Sequence, residues 1–321
     1  MKQIITLLLF LSCGSALAEF GVSAGASFNF KADFQTAAQP QGFANDAGAD
    51  AAGAGADHIY DDGYNRVDSS DNAGNLTTYW GYDNASQDHG GSITMNSAQT
   101  ILDAQSSSGE QNDAQPALEL YWQTDLTTNE RWNIGIRAAL RWQRVDLDSR
   151  AVYSSTVETI SDTYAYAGIV PGASFDGSFA GPNFLLSDDP SRSITFADGA
   201  SFAASRTLEA DLFAFDLGPT LSFDFTEKLR LTGSIGGTVA WIDSEFNYSD
   251  ERFSEGKDSK QDWLFGAYAS ADLSYQIGEH WGLFGGAAYT RLQDFDQQVD
   301  GRSTELQFGD SYTLRAGLFF R

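Results

Sequence analysis

Cysteine is almost absent from this chain, and basic residues are scarce. Its 321 residues include one cysteine, Cys13, and 19 lysines and arginines stand against 44 aspartates and glutamates. A single thiol excludes an internal disulfide framework and a cysteine-based metal cluster, so burial and backbone pairing must stabilise the fold. The formal net charge of −25 repels polyphosphates, and we therefore expect no nucleic-acid partner.

Long apolar runs are missing too, apart from a short one near the N-terminus. Ile4–Leu11 follows Lys2 and precedes the small residues of Ala16–Ala18. The run is too short to cross a bilayer, and the order of these three regions is typical of a secretory signal peptide. We therefore predict a signal peptide at 1–18 and an exported domain at 19–321. A buried helix and a lipid anchor on the cysteine are the alternatives.

Apolar and polar residues alternate in eight segments of the remaining chain. The clearest segment sets Trp263, Phe265, Ala267, Ala269, Ala271, Leu273 and Tyr275 against Asp262, Gly266, Ser270, Asp272, Ser274 and Gln276. A period of two indicates a β-strand with two different faces, and about 9–11 tilted residues cross a bilayer. We predict an all-β fold, namely an eight-stranded antiparallel transmembrane β-barrel. Ten strands are the alternative if Ser92–Leu102 and Val152–Ile160 enter the ring.

Short and long connections alternate between these segments. Thr128–Trp132, Phe225–Leu229 and Ile277–Trp281 each combine a glutamate, a lysine, arginine or histidine, and an apolar strand start. Long loops are predicted at 31–115, 149–206, 247–260 and 296–305. Short periplasmic turns, long outer loops and aromatic residues at the ends of the apolar rows are typical of outer-membrane barrels. A soluble β-sandwich would alternate in a similar way and is the structural rival.

The C-terminal segment has an apolar row that ends in an aromatic residue. The row consists of Tyr312, Leu314, Ala316, Leu318 and Phe320, with Phe319 as an exception to the alternation. With the signal peptide and the alternating strands, it resembles the small outer-membrane barrels of the OmpA and OmpX kind. The resemblance implies that the row is an assembly signal read by the barrel-assembly machinery, although Arg321 follows it here. Asp61–Tyr64 and Trp80–Tyr82 are similar to first loops of uncharacterised planctomycete and verrucomicrobial outer-membrane barrels.

Charged residues also occupy the faces that we predict to point into the barrel. They are Glu119, Arg137, Arg141, Asp216, Asp224, Arg230, Asp272 and Arg315. Side chains just fill the interior of an eight-stranded barrel, and charges inside it need partners to offset desolvation. We predict a lumen that is plugged by ion pairs. A narrow path for water or ions is the alternative.

Acidic residues cluster in the first long loop, at Asp57, Asp61, Asp62, Asp68 and Asp71. Carboxylate oxygens are the ligands that Ca²⁺ prefers, so this loop is a candidate cation-binding loop. The spacing differs from an EF-hand, and a solvated run of charge is the simpler interpretation. We expect no other cofactor and no further metal site.

Histidine is rare as well, with His58, His89 and His280 only. The first two fall in the same predicted outer loop, where solvation of both side chains is a simpler interpretation than a shared metal ion. His89 also lies near Asp83 and Ser86 in sequence, and an outer-membrane hydrolase would need such a combination. No supporting motif accompanies these residues, and we predict that the protein is not an enzyme.

These observations together indicate a structural or surface-interaction role in the cell outer membrane. The first alternative is a small porin-like diffusion channel, and the second is an outer-membrane hydrolase. The expected partners are the lipid bilayer, lipopolysaccharide and, during insertion, the barrel-assembly machinery. We expect a monomer.

Overall fold

The computed structural model describes residues 18–40, 56–67, 74–111, 114–179, 181 and 184–321. Residues 1–17 of the predicted signal peptide lie outside these ranges. Within the ranges, one short 3-10 turn occurs at Ala85–Gln87. The strands in chain order are β1 (Ala18–Phe28), β2 (Phe30–Thr36), β3 (Gln39–Pro40), β4 (His58–Tyr60), β5 (Gly63–Asn65), β6 (Leu76–Thr77), β7 (Trp80–Tyr82), β8 (Ser92–Leu102), β9 (Gln105–Gln111), β10 (Gln115–Thr128), β11 (Trp132–Tyr153), β12 (Ser155–Ala165), β13 (Phe175–Asp176), β14 (Leu186–Ser187), β15 (Ser191–Asp198), β16 (Phe202–Asp224), β17 (Leu229–Asp250), β18 (Ser254–Gln276), β19 (Trp281–Leu292), β20 (Phe295–Val299), β21 (Arg302–Gln307) and β22 (Ser311–Phe320).

Antiparallel pairing joins these strands throughout, which confirms the all-β prediction. A search of the described ranges finds no helix with the length and apolar character needed to cross a membrane. Eight strands pair around a closed ring in the order β1-β10-β11-β16-β17-β18-β19-β22. The two segments considered for a ten-stranded barrel do not add strands to this ring, because β8 and β12 pair with each other outside it.

The ring is strongly staggered. Its cross-strand partners can be followed from Trp132 through Phe223, Leu231, Leu273, Gly285, Ala316, Ala24 and Leu118 to Trp142, which lies ten residues further along the starting strand. Ten residues correspond to roughly 33 Å, and eight strand spacings of about 4.8 Å then give a tilt near ~40°. The short turns and both ends of the ring, β1 at Ala18 and β22 at Phe320, lie at the same rim.

Four wall strands, β11, β16, β17 and β18, are 22 or 23 residues long and change character halfway. On β11 the outward side chains are apolar from Trp132 to Trp142, and the next four are Arg144, Asp146, Asp148 and Arg150. The inward side chains change in the opposite sense, from polar residues up to Gln143 to the buried Val145 and Leu147. The half of the wall nearer the short turns, here called the lower half, is therefore apolar outside. The other half, here called the upper half, is apolar inside.

This inversion corrects the predicted loops. The sequence placed long loops at 149–206 and 247–260, but β11 continues to Tyr153 and β16 begins at Phe202. Between β17 and β18 only residues 251–253 form a turn. The prediction stopped the strands where the apolar row ended. The alternation in fact continues there with its two faces exchanged.

Four other strands of the wall bend and continue as a second sheet. This cap sheet has the order β20-β21-β2-β9, which repeats the order β19-β22-β1-β10 of the ring strands below it. Asn29 adopts a φ of 69° between β1 and β2, and its Nδ2 donates to the carbonyl of Asp310 at 2.8 Å, which ties two of the bends together. Asparagine is among the residues that tolerate this left-handed conformation best.

The cap sheet packs on the upper halves of the long wall strands. The shared core contains Phe30, Phe34, Val145, Leu147, Leu208, Leu212, Ile242, Phe246, Leu264, Leu292, Phe295, Leu306 and Phe308. Phe34 and Phe246 stack across it with ring centroids 5.9 Å apart. The upper barrel is thus flattened into a two-layer sandwich whose apolar core lies over the polar lumen.

The remaining strands build an outer domain, which we define as the sheets formed by β3 to β8 and β12 to β15. One sheet has the order β15-β12-β8-β3, a second has the order β13-β7-β5-β4, and β6 pairs with β14. Residues from both long loops share its core, which contains Tyr60, Trp80, Tyr82, Ile93, Met95, Tyr164 and Leu186. The sequence predicted these segments as parts of two separate long loops. In the structure, the two loops fold together into one domain with a common core.

Candidate functional site

Four predicted lumen residues form a closed ion-pair group, here called the lumen quartet: Glu119, Arg137, Asp272 and Arg315. Arg137 donates to Glu119 Oε1 at 2.7 Å and to Asp272 Oδ2 at 2.6 Å. Arg315 donates to Asp272 Oδ2 at 2.8 Å and also to Glu119 Oε2. Each arginine therefore contacts both carboxylates and the four charges sum to zero. Because β10 and β18 stand opposite each other in the ring, the quartet bridges the lumen.

The quartet depends on close packing of the wall around it. A Cβ on Gly286 would lie 2.1 Å from Asp272 Oδ1, so only glycine leaves room for this carboxylate. The guanidinium of Arg137 lies over the ring of Tyr121, 3.9 Å from its centroid. No quartet residue is more than 8% exposed. Buried charges with several hydrogen bonds each are the arrangement in which ion pairs can offset their desolvation.

Two further predicted lumen residues, Arg141 and Asp216, meet on the neighbouring strands β11 and β16. Arg141 Nη2 lies 3.9 Å from Asp216 Oδ2, a loose ion pair. The partners are held separately, because Arg141 Nη1 donates to Thr290 Oγ1 at 2.8 Å and Thr238 Oγ1 donates to Asp216 at 2.7 Å. A cavity of about 10 Å³ separates this polar layer from Leu212 and other core residues of the sandwich. That volume holds about one water molecule.

The last two predicted lumen residues lie near the rim that carries the short turns. Arg230 Nε donates to Asp224 Oδ1 at 2.6 Å, and its Nη1 donates to Asp125 Oδ2 at 3.1 Å. The structure therefore sorts the eight predicted residues into three groups. Asp125 is an added partner, and a β-bulge between Asp125 and Thr127 hides its register in the sequence.

An aromatic cluster at the same rim escaped the sequence prediction. Phe319 is 1% exposed and packs inside the barrel with Tyr121, Phe284 and Ala139. It is therefore an inward residue of β22, an apolar exception on the face that also carries Thr313 and Arg315. A Cβ on Gly282 would lie 2.4 Å from Phe319 Cζ, so the glycine-rich β19 makes room for the ring.

The end of the predicted assembly signal is tied into this rim. Tyr312, Leu314, Ala316, Leu318 and Phe320 all lie on the exposed outer face of β22. Arg321 follows them, and its Nε donates to Glu19 Oε2 at 2.6 Å. Tyr121 donates its hydroxyl to the other oxygen of Glu19 at 2.7 Å. The residue that departs from the family pattern thus joins the first and last strands of the ring.

A second buried ion group holds the cap sheet to the wall, and the sequence did not predict it. Arg206 and Arg302 donate to the two oxygens of Asp250 at 2.7 and 2.6 Å. Arg206 also donates to Thr36 Oγ1 of the cap sheet at 2.9 Å. All three charged side chains are at most 2% exposed. They lie in segments that were predicted as loops, where the sequence assigns no face to the lumen.

The outer domain contains a buried carboxylate, Asp162. Arg192 binds both of its oxygens, at 2.8 and 2.6 Å, and the Tyr60 hydroxyl donates to it at 2.6 Å. The hydroxyls of Tyr60 and Tyr164 lie 2.7 Å apart. Burial raises the pKa of both tyrosines above the ordinary value. His58 is buried beside these two rings, far from a loop surface.

The described part of the predicted cation-binding loop uses its carboxylates within the fold. Asp62 accepts hydrogen bonds from the backbone and side chain of Asn96 at 2.6 and 2.7 Å. Asp61 accepts from the backbone of Ala98 at 2.8 Å, and Asp57 lies 3.9 Å from Arg66. Asp68 and Asp71 lie outside the described residues. Within the described ranges, no group of three or more His, Cys, Asp or Glu side chains is placed to hold a metal, and the Ca²⁺ site stays a prediction.

The residues considered for hydrolysis do not form a catalytic arrangement in the described structure. Asp83 and Ser86 flank or lie within the short 3-10 turn, where Gln87 accepts the backbone N–H of Asp83 at 3.0 Å. The backbone of His89 donates to the carbonyl of Ser92 at 2.9 Å. Among the described residues no hydrogen bond joins the side chains of His89, Asp83 and Ser86. In the described structure these three residues therefore lack the hydrogen-bonded Ser–His–Asp geometry that hydrolysis would need.

No family model matches the chain, and no curated protein matches it. Similar solved structures include the outer-membrane protease OmpT of Escherichia coli, with 11% identity, 96% of this chain and 99% of that chain covered, and a TM-score of 0.36. They also include Ail, the attachment invasion locus protein of Yersinia pestis, in complex with the heparin analogue sucrose octasulfate (8% identity, 94% and 99% covered, TM-score 0.29) and without it (9%, 94% and 99%, 0.28). None of them bears on the planctomycete and verrucomicrobial resemblance, which stays without support.

Proposed function

We propose that this chain is an integral barrel of the bacterial outer membrane, with a closed lumen, that presents a folded outer domain at the cell surface. The observation that carries the proposal is the inversion of the wall strands. The apolar outward row of β11 covers ten steps, from Trp132 to Trp142. At ~3.3 Å per step and a tilt of about 40°, it spans about 25 Å, the height of the apolar band of a membrane barrel.

The rims of the apolar band support this orientation. Trp142, Phe213, Trp241 and Trp263 are cross-strand partners in one continuous row. The next outward residues above them are charged or polar, and Trp142 Nε1 donates to Asp211 at 3.1 Å. Aromatic residues that join an apolar band to a polar surface are typical of the membrane interface. A soluble sandwich would instead leave this band in water, and monomeric soluble proteins rarely expose apolar patches of that size.

Two barriers that follow one another along the barrel axis favour a closed barrel over a diffusion channel. The lumen quartet bridges the lower lumen, and the core of the sandwich fills the upper part. A conducting path would have to break buried ion pairs and separate a packed apolar core. The partners in this proposal are the lipids of the outer membrane, including lipopolysaccharide, and the barrel-assembly machinery during insertion. The surface role belongs to the outer domain.

Two measurements on the full chain test the proposal. Expressed in a Gram-negative host, it should stay with the outer-membrane fraction after high-salt and alkaline-carbonate washes. Folded into planar bilayers, it should show no discrete conductance steps. Recovery in the soluble periplasm would refute the membrane assignment. Reproducible unitary conductance from the unmodified protein would favour the channel instead.

A further inference from the structure

Strand β15 of the outer domain has an unusual open edge. Its eight residues, Ser191–Asp198, pair with β12 on one side, and β15 ends the sheet order β15-β12-β8-β3. Among the strands that the structure describes, none pairs with its other side. The backbone N–H and C=O groups along such an edge can pair with another strand.

Other sheet edges in the described structure are shorter or covered. In the outer domain β3, β4, β6, β13 and β14 have two or three residues each. The edges of the cap sheet lie against the wall: Lys260 donates to the carbonyl of Asp296 on β20, and an added Cβ on Gly109 of β9 would lie 2.8 Å from the carbonyl of Asp148. Natural edge strands are usually protected by shortness, lysine, proline, bulges or a cover. Strand β15 has eight residues and no lysine, proline or register shift, and its two charged residues, Arg192 and Asp198, lie near its ends.

The side chains of β15 are exposed on both faces. Seven of the eight residues are exposed, and Arg192, which binds Asp162, is the exception. Ile194 and Phe196 are 46% and 65% exposed and lie on the same face. Two large apolar residues on an open edge cost solvation free energy in the isolated protein and would gain it if covered.

We propose that this edge binds the same edge of a second copy, as an antiparallel pair related by a two-fold axis at Thr195. The sequence of β15 is complementary to itself in this register. Ile194 lies opposite Phe196 of the second copy, and by symmetry this apolar pair occurs twice. Asp198 of each copy lies opposite Arg192 of the other, whose guanidinium also binds Asp162, so an acidic residue faces a basic one at both ends. Cross-strand pairs of these two kinds are the favourable ones in antiparallel sheets.

The neighbouring symmetric registers lack this match. A two-fold axis at Ile194 sets Arg192 opposite Phe196, and an axis at Phe196 sets Ile194 opposite Asp198. Register is specified where one pairing brings apolar residues together and the others bring them against charge. The contact area is small, so we expect a weak, reversible dimer. Holding both copies in the same surface would raise their effective concentration and favour the dimer. This replaces the expected monomer and does not depend on the proposed membrane location.

A single-cysteine experiment tests the axis. The variant Cys13→Ser removes the one natural cysteine, and Thr195→Cys is added to it. Opposed residues in an antiparallel pair have Cα atoms about 4.5–5.5 Å apart, within disulfide reach. Mild oxidation of the purified full chain in detergent micelles should therefore give a covalent dimer on a non-reducing gel. The control Ser193→Cys, two residues away on the same face, should not cross-link to itself but should cross-link to Ala197→Cys.

A second variant separates specific pairing from collision. Phe196 is exposed in the folded monomer, so Phe196→Asp can be added to the Thr195→Cys protein without disturbing a core. This substitution should reduce the yield of covalent dimer at least tenfold. Circular dichroism checks that each variant has folded. Equal dimer yields from Thr195→Cys and Ser193→Cys would overturn the proposal, as would a yield that Phe196→Asp leaves unchanged. Absence of any dimer from the folded Thr195→Cys protein would overturn it too.

Discussion

The lumen quartet is where a single residue matters most. Replacing Arg137 by methionine leaves Glu119 and Asp272 to share Arg315, which gives one uncompensated buried negative charge. Breaking a buried ion pair by removing one partner costs about 3–5 kcal/mol. We expect a loss of this size in the free energy of unfolding of the Arg137→Met protein in lipid vesicles, measured by urea titration of tryptophan emission.

A matched control lies seven residues further along the same strand. Arg144 pairs with Glu209 on the outer surface, and the two side chains are 46% and 44% exposed. Exposed pairs of this kind contribute about 0–1 kcal/mol, so Arg144→Met should change little. If both variants unfold at the same urea concentration, the quartet does not stabilise the barrel.

The residues that face the lumen could be predicted only in segments where polar inward residues alternate with apolar outward ones. That rule was enough to place Glu119 and Arg315 on inward faces of their strands. It could not show that Arg230 and Arg137 belong to different groups, because contacts across the lumen depend on the stagger of the ring. Arg206, Asp250 and Arg302 were missed for another reason: they lie in segments that were predicted as loops, where no strand face was assigned.

At the scale of strands, the apolar band makes a depth-dependent prediction. Ile235 points outward from the band and is 64% exposed. In a bilayer, Ile235→Arg should cost about 2–4 kcal/mol, because an arginine is unfavourable near the midplane. Ser259→Arg, on the outer face of β18 above the band, should cost about 0–1 kcal/mol. Folding yield and urea midpoint in vesicles measure both. If the two substitutions cost the same small amount, as a surface change does in a soluble protein, the band does not contact lipid.

The strands also show which features of the fold the sequence could not reveal. The ring strands were visible because each carries one long apolar row. The cap sheet was not, since β2, β9, β20 and β21 have only five to seven residues and follow directly on ring strands. The pairing of β8 with β12 joins residues about sixty positions apart, such as Ser97 and Ile160, and no local pattern encodes such a contact.

The whole molecule is a stack of three parts: a barrel with a polar lumen, a sandwich with an apolar core, and an outer domain with its own core. Buried ion groups fall in the lumen and where the cap sheet meets the wall, and Asp162 with Arg192 lies in the outer domain. Apart from one small cluster, in which Leu102 of β8 packs with Tyr153, Phe202 and Ala204 of the wall, the outer domain has a core of its own among the described residues. It should therefore be able to lose its structure while the barrel stays folded.

Alkaline pH should separate these parts. Burial raises the pKa of Tyr60 and Tyr164, so folding favours their neutral forms. A raised pKa contributes stability that is fully present below the ordinary tyrosine value of about 10 and falls as the pH rises above it. We therefore expect proteolytic cleavage within 56–102 and 154–201 to increase above about pH 10, while far-UV circular dichroism of the barrel persists. Tyr60→Phe should weaken the outer domain at neutral pH, because Asp162 loses a hydrogen bond, and should make its cleavage less dependent on pH. The same dependence in both proteins would show that these tyrosines do not control the stability of the outer domain.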